Sequence, residues 1–504
     1  MKKMIKRFLS ATLVLALLLS IPVITQQLSN PITAEASTNT WAGRTPKYIF
    51  FFIGDGMTYP QITAASDYLG TLEYEGKKVE SVNLEFTKFP AAGSATTYDS
   101  SSFCPDSAST ATSMSTGFKT FSGIVNMDEQ KKVKYETIAE KLKKQLGYKI
   151  GIVSSVPIDH ATPAAFYAHQ PSRGNYYEIG VELVNSNFDY FGGGGFQLPK
   201  GKKGDMPDVL ELAKANGYTV ANTKADILAT SQEDKKVIAI NPELIGGALP
   251  YEIDRKSGEL SLADFTRKGI ELLQNETGFF MMIEGGKIDW ACHANDAMTT
   301  IQDTIAFDEA VQEAIKFHNK YPNDTLILVA GDHETGGLSI GFAGTGYSTY
   351  LDKLSKQTMS YEAFDKEAVA AYRTNKSSFE SVLVGIKQNF GLITKTDVSA
   401  ASNPGFVLTD YEYDRLKASY TLSMIDPKSR KLSEEENLLY GSYEPLTVTV
   451  THILNNKAGI GWTSYSHTAI PVGVFAKGNG EALFNGYYDN TEIFIKLKAL
   501  TRVK

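Results

Sequence analysis

Cysteine is scarce. The chain has only Cys104 and Cys292, which excludes a disulfide framework and leaves room for one bridge at most. No basic block follows the first few residues, and Lys and Arg number 50 against 57 Asp and Glu, so no nucleic-acid-binding surface working through backbone phosphates is expected. Internal repeats and low-complexity tracts are absent. Beyond residue 36 no run is long or apolar enough to span a bilayer. With so few disulfides available, stability has to come from a large core, which 42% apolar residues can supply. The length predicts two or three domains, or one large α/β domain with insertions.

The long apolar run stands at the start. Lys2, Lys3, Lys6 and Arg7 precede an apolar stretch from Phe8 to Ile24, and an A-x-A signal follows at Ala34-Glu35-Ala36. Residues 1–36 read as a secretory signal peptide cleaved after Ala36. A permanent membrane anchor is the alternative, against which stand the shortness of the run and Pro22, a spanning helix needing roughly 20 residues. Cleavage would remove four basic and one acidic side chain, moving the net charge from −7 to about −10. The mature chain is expected outside the cytoplasm.

Five short apolar runs rich in β-branched and aromatic residues read as strands buried on both faces: Tyr48 to Ile53, Tyr148 to Val153, Phe279 to Ile283, Thr325 to Ala330 and Ile470 to Ala476. Amphipathic stretches lie between them, including Lys134 to Gly147 and Ala297 to Lys320. This alternation predicts a three-layer α/β/α sandwich around a mostly parallel sheet.

The residues just past the strands point to a site. The first strand runs into Gly54-Asp55-Gly56, the second into "DHATPAA", the third into Glu284 and on to Asp289, and the fourth into Gly331-Asp332-His333-Glu334. Ligands of open α/β sheets sit beyond the carboxyl ends of the strands, so four strands deliver metal-type ligands to one edge. Each fragment has a plainer reading. Gly54-Asp55-Gly56 can be a turn; Asp289 and His293, four apart, either share a helix face and a cation or are a cap and a surface histidine; His467 alone reads as a loop histidine. Yet four of the seven histidines, His160, His293, His333 and His467, stand in Gly-, Ser- or Thr-flanked segments beside the apolar runs. That all the plain readings hold independently is improbable.

The motifs "FFIGDGM", "PDSASTAT", "DHATPAA…SR", "EGGKIDWACHAND", "GDHETGG" and "SHTAIPVGVFA" resemble, in order and approximate spacing, those of the alkaline phosphatases. The resemblance implies a metal-dependent phosphomonoesterase with two zinc sites and a nearby magnesium site. Asp289, His293 and His467 match the ligands of the first zinc. Asp55, Asp332 and His333 match those of the second, with Ser107 facing it as nucleophile. Asp55 would bridge to the third site, where Thr162 and Glu284 match family ligands. His160 stands there where some members have an aspartate, and an imidazole in place of a carboxylate shifts preference from magnesium toward zinc. Arg173 matches the arginine that holds phosphate, with two parallel donors that lysine cannot reproduce.

The chemistry suits these roles. A serine hydroxyl needs its alkoxide stabilised, which an adjacent divalent cation can do, and two cations roughly 4 Å apart can clamp the attacking and leaving oxygens. Asp106 then orients Arg173 rather than acting as base, and two in-line steps through a phosphoserine imply net retention at phosphorus. Small residues after Ser107 predict a helix opening there, its free N–H groups favouring an anion. Cys104 and Cys292 are either close enough to pair or are buried small apolar groups. Residues 37–337 would form the first part of the core, 338–464 a cap-like insertion at the cleft rim or a dimer contact, and 465–504 a return to the core sheet ending in a short helix. Small phosphomonoesters are the expected partners, with a homodimer allowed and no membrane after cleavage. A phosphodiesterase or sulfatase on the same scaffold, and a non-enzymatic metal-binding protein, are the other readings, the last disfavoured because binding alone needs neither Ser107 nor Arg173.

Overall fold

The computed structural model describes residues 41–504, so the expected leader lies outside the described residues. The apolar runs are strands of one ten-stranded sheet: β1 (Tyr48–Gly54), β2 (Ala91–Thr96), β3 (Lys149–Ser154), β4 (Tyr190–Gly193), β5 (Thr219–Ala221), β6 (Val237–Ile240), β7 (Phe279–Glu284), β8 (Thr325–Gly331), β9 (Val472–Gly478) and β10 (Gly486–Asp489). Their spatial order is β10-β2-β9-β8-β1-β7-β3-β4-β6-β5. Every pairing is parallel except those of β9, which runs antiparallel to both β2 and β8. The strands nearest the end of the sequence, β9 and β10, lie in this sheet, and β2 reaches the rest of it only through β9. The strand at the end starts two residues later than the apolar run suggests, after Pro471, which has no N–H to give a ladder.

Ten helices matter for the site and its support: α1 (Tyr59–Glu73), α2 (Ser107–Thr116), α3 (Ile138–Leu146), α4 (Leu262–Leu273), α5 (Lys287–His293), α6 (Ala297–His318), α7 (Phe379–Phe390), α8 (Asp410–Ser423), α9 (Pro445–Ala458) and α10 (Thr491–Thr501). Successive side chains of β1 point to opposite faces. Phe50 and Phe52 pack edge-on against Phe317 and Phe307 of α6, whereas Phe51 meets Phe166 on the other face. Helices α1 and α4 lie against α6, and α10 against α2, which completes a layer on each side of the sheet. The helix expected over Lys134 to Gly147 begins only at Ile138. Thr137 caps it, its hydroxyl accepting Glu140 N–H at 3.1 Å while Glu140 accepts Thr137 N–H at 2.8 Å, and Lys134 is spent on a bridge to Met127.

The register levels the functional edge. Gly54 lies opposite Gly331, and Ile53 and Ser154 both lie opposite Glu284, so the residues leaving β1, β3, β7 and β8 emerge side by side.

Residues 338–464 carry α7, α8 and α9 and grip the segment after β7 at three points. Asp296, the N-cap of α6, accepts Gln357 Nε2 at 2.8 and 2.9 Å and the Tyr361 N–H at 2.9 Å. Lys287 is buried, its Nζ 3.5 Å from Glu362 and 3.4 Å from the Tyr251 ring centroid. On α9, His452 reaches Asn295 Oδ1 at 3.1 Å and Asn455 donates to the Asn295 carbonyl at 2.8 Å.

Phe50 tests the core. It is fully buried between Phe279 and Phe317. Phe50→Ala is expected to cost about 3–5 kcal/mol, read as a lower denaturant midpoint, whereas Tyr347→Ala, at a fully exposed position, should stay within about 0.5 kcal/mol.

Candidate active site

The turn after β1 is tight because it has to be. Gly56 adopts φ +70°, its N–H donates to Asp332 Oδ1 at 3.1 Å, and a Cβ on it would lie 2.9 Å from both Asp289 Cα and Thr335 Oγ1. Asp55, on the same turn, is thereby pressed against the segments from β7 and β8. Helix α5 carries Asp289 and His293 on one face, with His293 Nε2 3.4 Å from Asp289 Oδ1. Ser107 opens α2, and Asp106 is its N-cap, accepting Ser109 N–H at 3.0 Å.

The first cluster turns two bare imidazole nitrogens toward each other beside a carboxylate. His293 Nδ1 lies 2.6 Å from the Tyr465 carbonyl and His467 Nδ1 lies 2.5 Å from the Pro105 carbonyl, so in each neutral ring the proton sits on Nδ1 and Nε2 is bare. Those bare nitrogens face each other at 3.1 Å, with Asp289 Oδ1 at 3.4 and 3.6 Å. No hydrogen is available between them. A Lewis acid fits this donor set, and a tetrahedral N/O cation such as zinc fits it well. Burial alone would raise the Asp289 pKa, but the three imidazoles around it and the Thr335 hydroxyl hold it low.

The second cluster is Asp55, Asp332 and His333, all buried, with His333 Nε2 3.3 Å from Asp55 Oδ1 and 3.2 Å from Asp332 Oδ2. The two clusters run together, because the His333 ring stacks on that of His467 at 3.6 Å and also lies within reach of Asp289. Burial pushes Asp332 up to about 8 and raises Asp55, with neighbouring carboxylates adding to both. Without a counter-charge Asp332 would hold a proton near neutrality, and a bound cation would displace it.

At the third position, Thr162 Oγ1 approaches Asp55 Oδ2 at 3.4 Å. Burial pushes Glu284 up to about 7; Ser154 donates to its Oε2, and its buried Oε1 has no hydrogen-bond partner. That orphan oxygen suits a hard cation. His160 is placed differently from the others. Its Nε2 lies 3.4 Å from Arg173 Nη2, its ring stands edge-on to Trp290, and its Nδ1 is buried without a partner. Burial, aided by the Arg173 charge, pushes it down to about 3, so it is a neutral imidazole.

Ser107 Oγ lies 3.1 Å from His333 Nε2 and 3.5 Å from Asp55 Oδ1, which puts the hydroxyl at the second cluster. Arg173 Nη1 donates to Asp106 Oδ2 at 2.9 Å, and the expectation that Asp106 orients the arginine holds. Asp106 itself stays ionised: burial opposes this, but Arg173 and the N–H groups of Gly123 and Ser109 outweigh it.

The cysteines do not pair. Both are free, Cys104 is exposed rather than buried, and only Cys292 behaves as a buried small group, beside Gln61 and Thr300. Thr335 escaped the sequence reading although it stands inside "GDHETGG". Its hydroxyl donates to Asp289 Oδ1 at 2.6 Å and faces His333 Nδ1 at 3.3 Å, tying the two clusters together. The signal was its i+2 spacing from His333. Glu334, also passed over, accepts Gln61 Nε2 at 2.8 Å and Gly337 N–H at 3.0 Å behind the site.

Residues 46–503 match a family model described as alkaline phosphatase. Alkaline phosphatase 3 of Bacillus subtilis is 31% identical over 456 residues, covering 89% of this chain and 87% of the relative. The cold-active alkaline phosphatase of Shewanella sp. superposes with a TM-score of 0.72 at 28% identity, covering 90% of this chain and 99% of that one. A mutant alkaline phosphatase of the Antarctic bacterium TAB5, solved with Mg bound in its M3 site, superposes with a TM-score of 0.61 at 25% identity over 92% of this chain and 99% of that one. With a match over nearly all of the described residues, and with a buried serine set among cation-type ligands as its motifs require, the chain belongs to the alkaline phosphatase family, a family of metal-dependent phosphomonoesterases.

Proposed function

We propose that the protein is secreted and hydrolyses phosphate monoesters over a broad range, through a phosphoserine at Ser107, in the service of phosphate scavenging. The observation that carries the chemistry is a buried Ser107 hydroxyl 3.1 Å from His333 Nε2, where imidazole nitrogens and buried carboxylates converge and His293 Nε2 meets His467 Nε2 with no hydrogen between them. Asp289, His293 and His467 would hold one zinc, Asp55, Asp332 and His333 a second, and Asp55, Thr162 and Glu284, near His160, a third cation, magnesium or, in view of the His160 imidazole, zinc; the TAB5 structure that holds Mg in its M3 site has a histidine replaced by glutamate. Such ions supply Lewis acidity that lowers the pKa of a neighbouring hydroxyl and positive charge that balances phosphoryl oxygens.

The chain's own groups do the rest. Arg173 has Nη1 on Asp106 and Nη2 near His160 Nε2, and its other N–H groups can reach non-bridging oxygens, so it would orient the phosphoryl group. A monoester offers that fork more free oxygens than a diester. Ser107 Oγ forms a bond to phosphorus as the ester oxygen leaves, and water then attacks the phosphoserine, returning Oγ and releasing phosphate. Two inversions give retention. The N–H groups of the first turn of α2, on which Ser107 stands, favour the anion throughout. Export through the leader accords with the described residues, among which no helix is long and apolar enough to cross a membrane. We also propose 338–464 as the insertion, in view of its grip on the segment that carries Asp289 and His293.

Ser107→Ala should lower kcat by about 10³-fold or more while metal content stays unchanged, and acid-quenched wild-type enzyme should carry phosphate on Ser107 by mass spectrometry. Full activity of the variant would remove the nucleophile assignment. Exhaustive chelation, checked by metal analysis, should abolish hydrolysis, and zinc with magnesium should restore it; an undiminished rate in metal-free protein would contradict the ligand assignments. Across an aryl phosphate, a bis-aryl phosphate and an aryl sulfate, the monoester should react fastest, and a faster diester or sulfate would overturn the reading.

A further inference from the structure

Three residues beyond strand β2, Asp99 is a buried carboxylate that none of the roles above uses. Its Oδ1 accepts the N–H of Ser101 at 2.6 Å, the Ser101 hydroxyl at 2.8 Å and the N–H of Ser102 at 2.7 Å. Its Oδ2 accepts the Ser109 hydroxyl at 2.7 Å and the Ser122 hydroxyl. Five donors thus converge on one side chain from three separate segments. Asp106 grips two of the same segments by their backbone, taking the N–H of Ser109 at 3.0 Å and of Gly123 at 2.9 Å. The two carboxylates therefore clamp one pair of segments, Asp99 through hydroxyls and Asp106 through amides.

The second segment leads to the arginine. The Gly123 carbonyl accepts Arg173 N–H at 2.7 Å, so the backbone of Arg173 is pinned to the residue after Ser122 while its guanidinium is pinned to Asp106. A further brace runs from Ser122 N–H to Ser101 Oγ at 3.1 Å, the same hydroxyl that donates to Asp99. Rigid support thus passes from the sheet through Asp99 to Ser122-Gly123 and on to both ends of Arg173.

We infer that Asp99 is a positioning residue for phosphate recognition, fixing Arg173 and its partner Asp106 through the Ser122–Gly123 segment. This rests on the proposed phosphatase reading. An asparagine at 99 keeps the size but turns one acceptor into a donor facing the serine hydroxyls, which frees Ser109 and Ser122 from their anchor. A residue that merely stabilised the fold would change Tm with no link to the arginine.

The test is a double-mutant cycle on metal-replete, full-length enzyme with 4-nitrophenyl phosphate as substrate and inorganic phosphate as competitor. Asp99→Asn should raise KM and the inhibition constant for phosphate about tenfold or more, with kcat changed by less than about threefold. In an Arg173→Ala background the same substitution should change either constant by less than about twofold. An equal effect in both backgrounds, or an effect below about twofold in the parent enzyme, overturns the inference. Should Asp99→Asn fail to fold, Ser122→Ala removes a single hydroxyl and should raise both constants about threefold in the parent enzyme and leave the Arg173→Ala enzyme unchanged; no change in the parent overturns the inference equally. Parent enzyme that hydrolyses no monoester would sink the phosphatase reading instead, a result distinct from active parent enzyme insensitive to Asp99.

Discussion

Bare nitrogen lone pairs and buried carboxylates crowded at one edge of the sheet are the constraint on which this molecule is built. His293 Nε2 and His467 Nε2 face one another at 3.1 Å, and Asp55, Asp332 and Glu284 crowd the same edge, each pushed toward the protonated form by burial. Such an arrangement costs folding free energy unless something positive joins it. The surroundings are accordingly stiff: two backbone carbonyls fix the tautomers, Thr335 bridges Asp289 and His333, and Gly56 admits contacts that a Cβ would block.

The parts of this site visible in the sequence were those that repeat a local pattern. An apolar run ending in glycine and a carboxylate marks a buried parallel strand with a ligand at its tip, and level register between β1, β7 and β8 turns that one-dimensional pattern into a cluster. The order and spacing of the motifs supplied Ser107, Arg173 and the histidines. The hidden parts depend on partners remote in the chain. Nothing near His467 announces that its Nδ1 will find the carbonyl of Pro105, 362 residues away, and nothing near Asp99 announces the hydroxyl of Ser122. His160 shows the limit of reading by position, since its side chain turns toward Arg173 and Trp290. The cysteines were undecidable for the same reason: their separation is set by packing of α5 and the loop before α2, which no local pattern encodes.

Residues 338–464, the least familiar part of the chain, touch the site without supplying any of its chemistry. Gln357 and Tyr361 load the cap of α6, Glu362 meets the buried Lys287 at the start of α5, and α9 secures Asn295 just past its end. The helix that presents Asp289 and His293 is held at both ends by this region. Short helices of this kind owe their stability to such tertiary contacts rather than to intrinsic propensity.

The strand β2, which leads toward Ser107, lies between β9 and β10 and joins the sheet only through them, and both are formed by residues 472–489. Without those two strands, β2 and the segment that leads to Ser107 have no ladder to the rest of the sheet. The sheet around β2 is therefore completed only by residues 472–489.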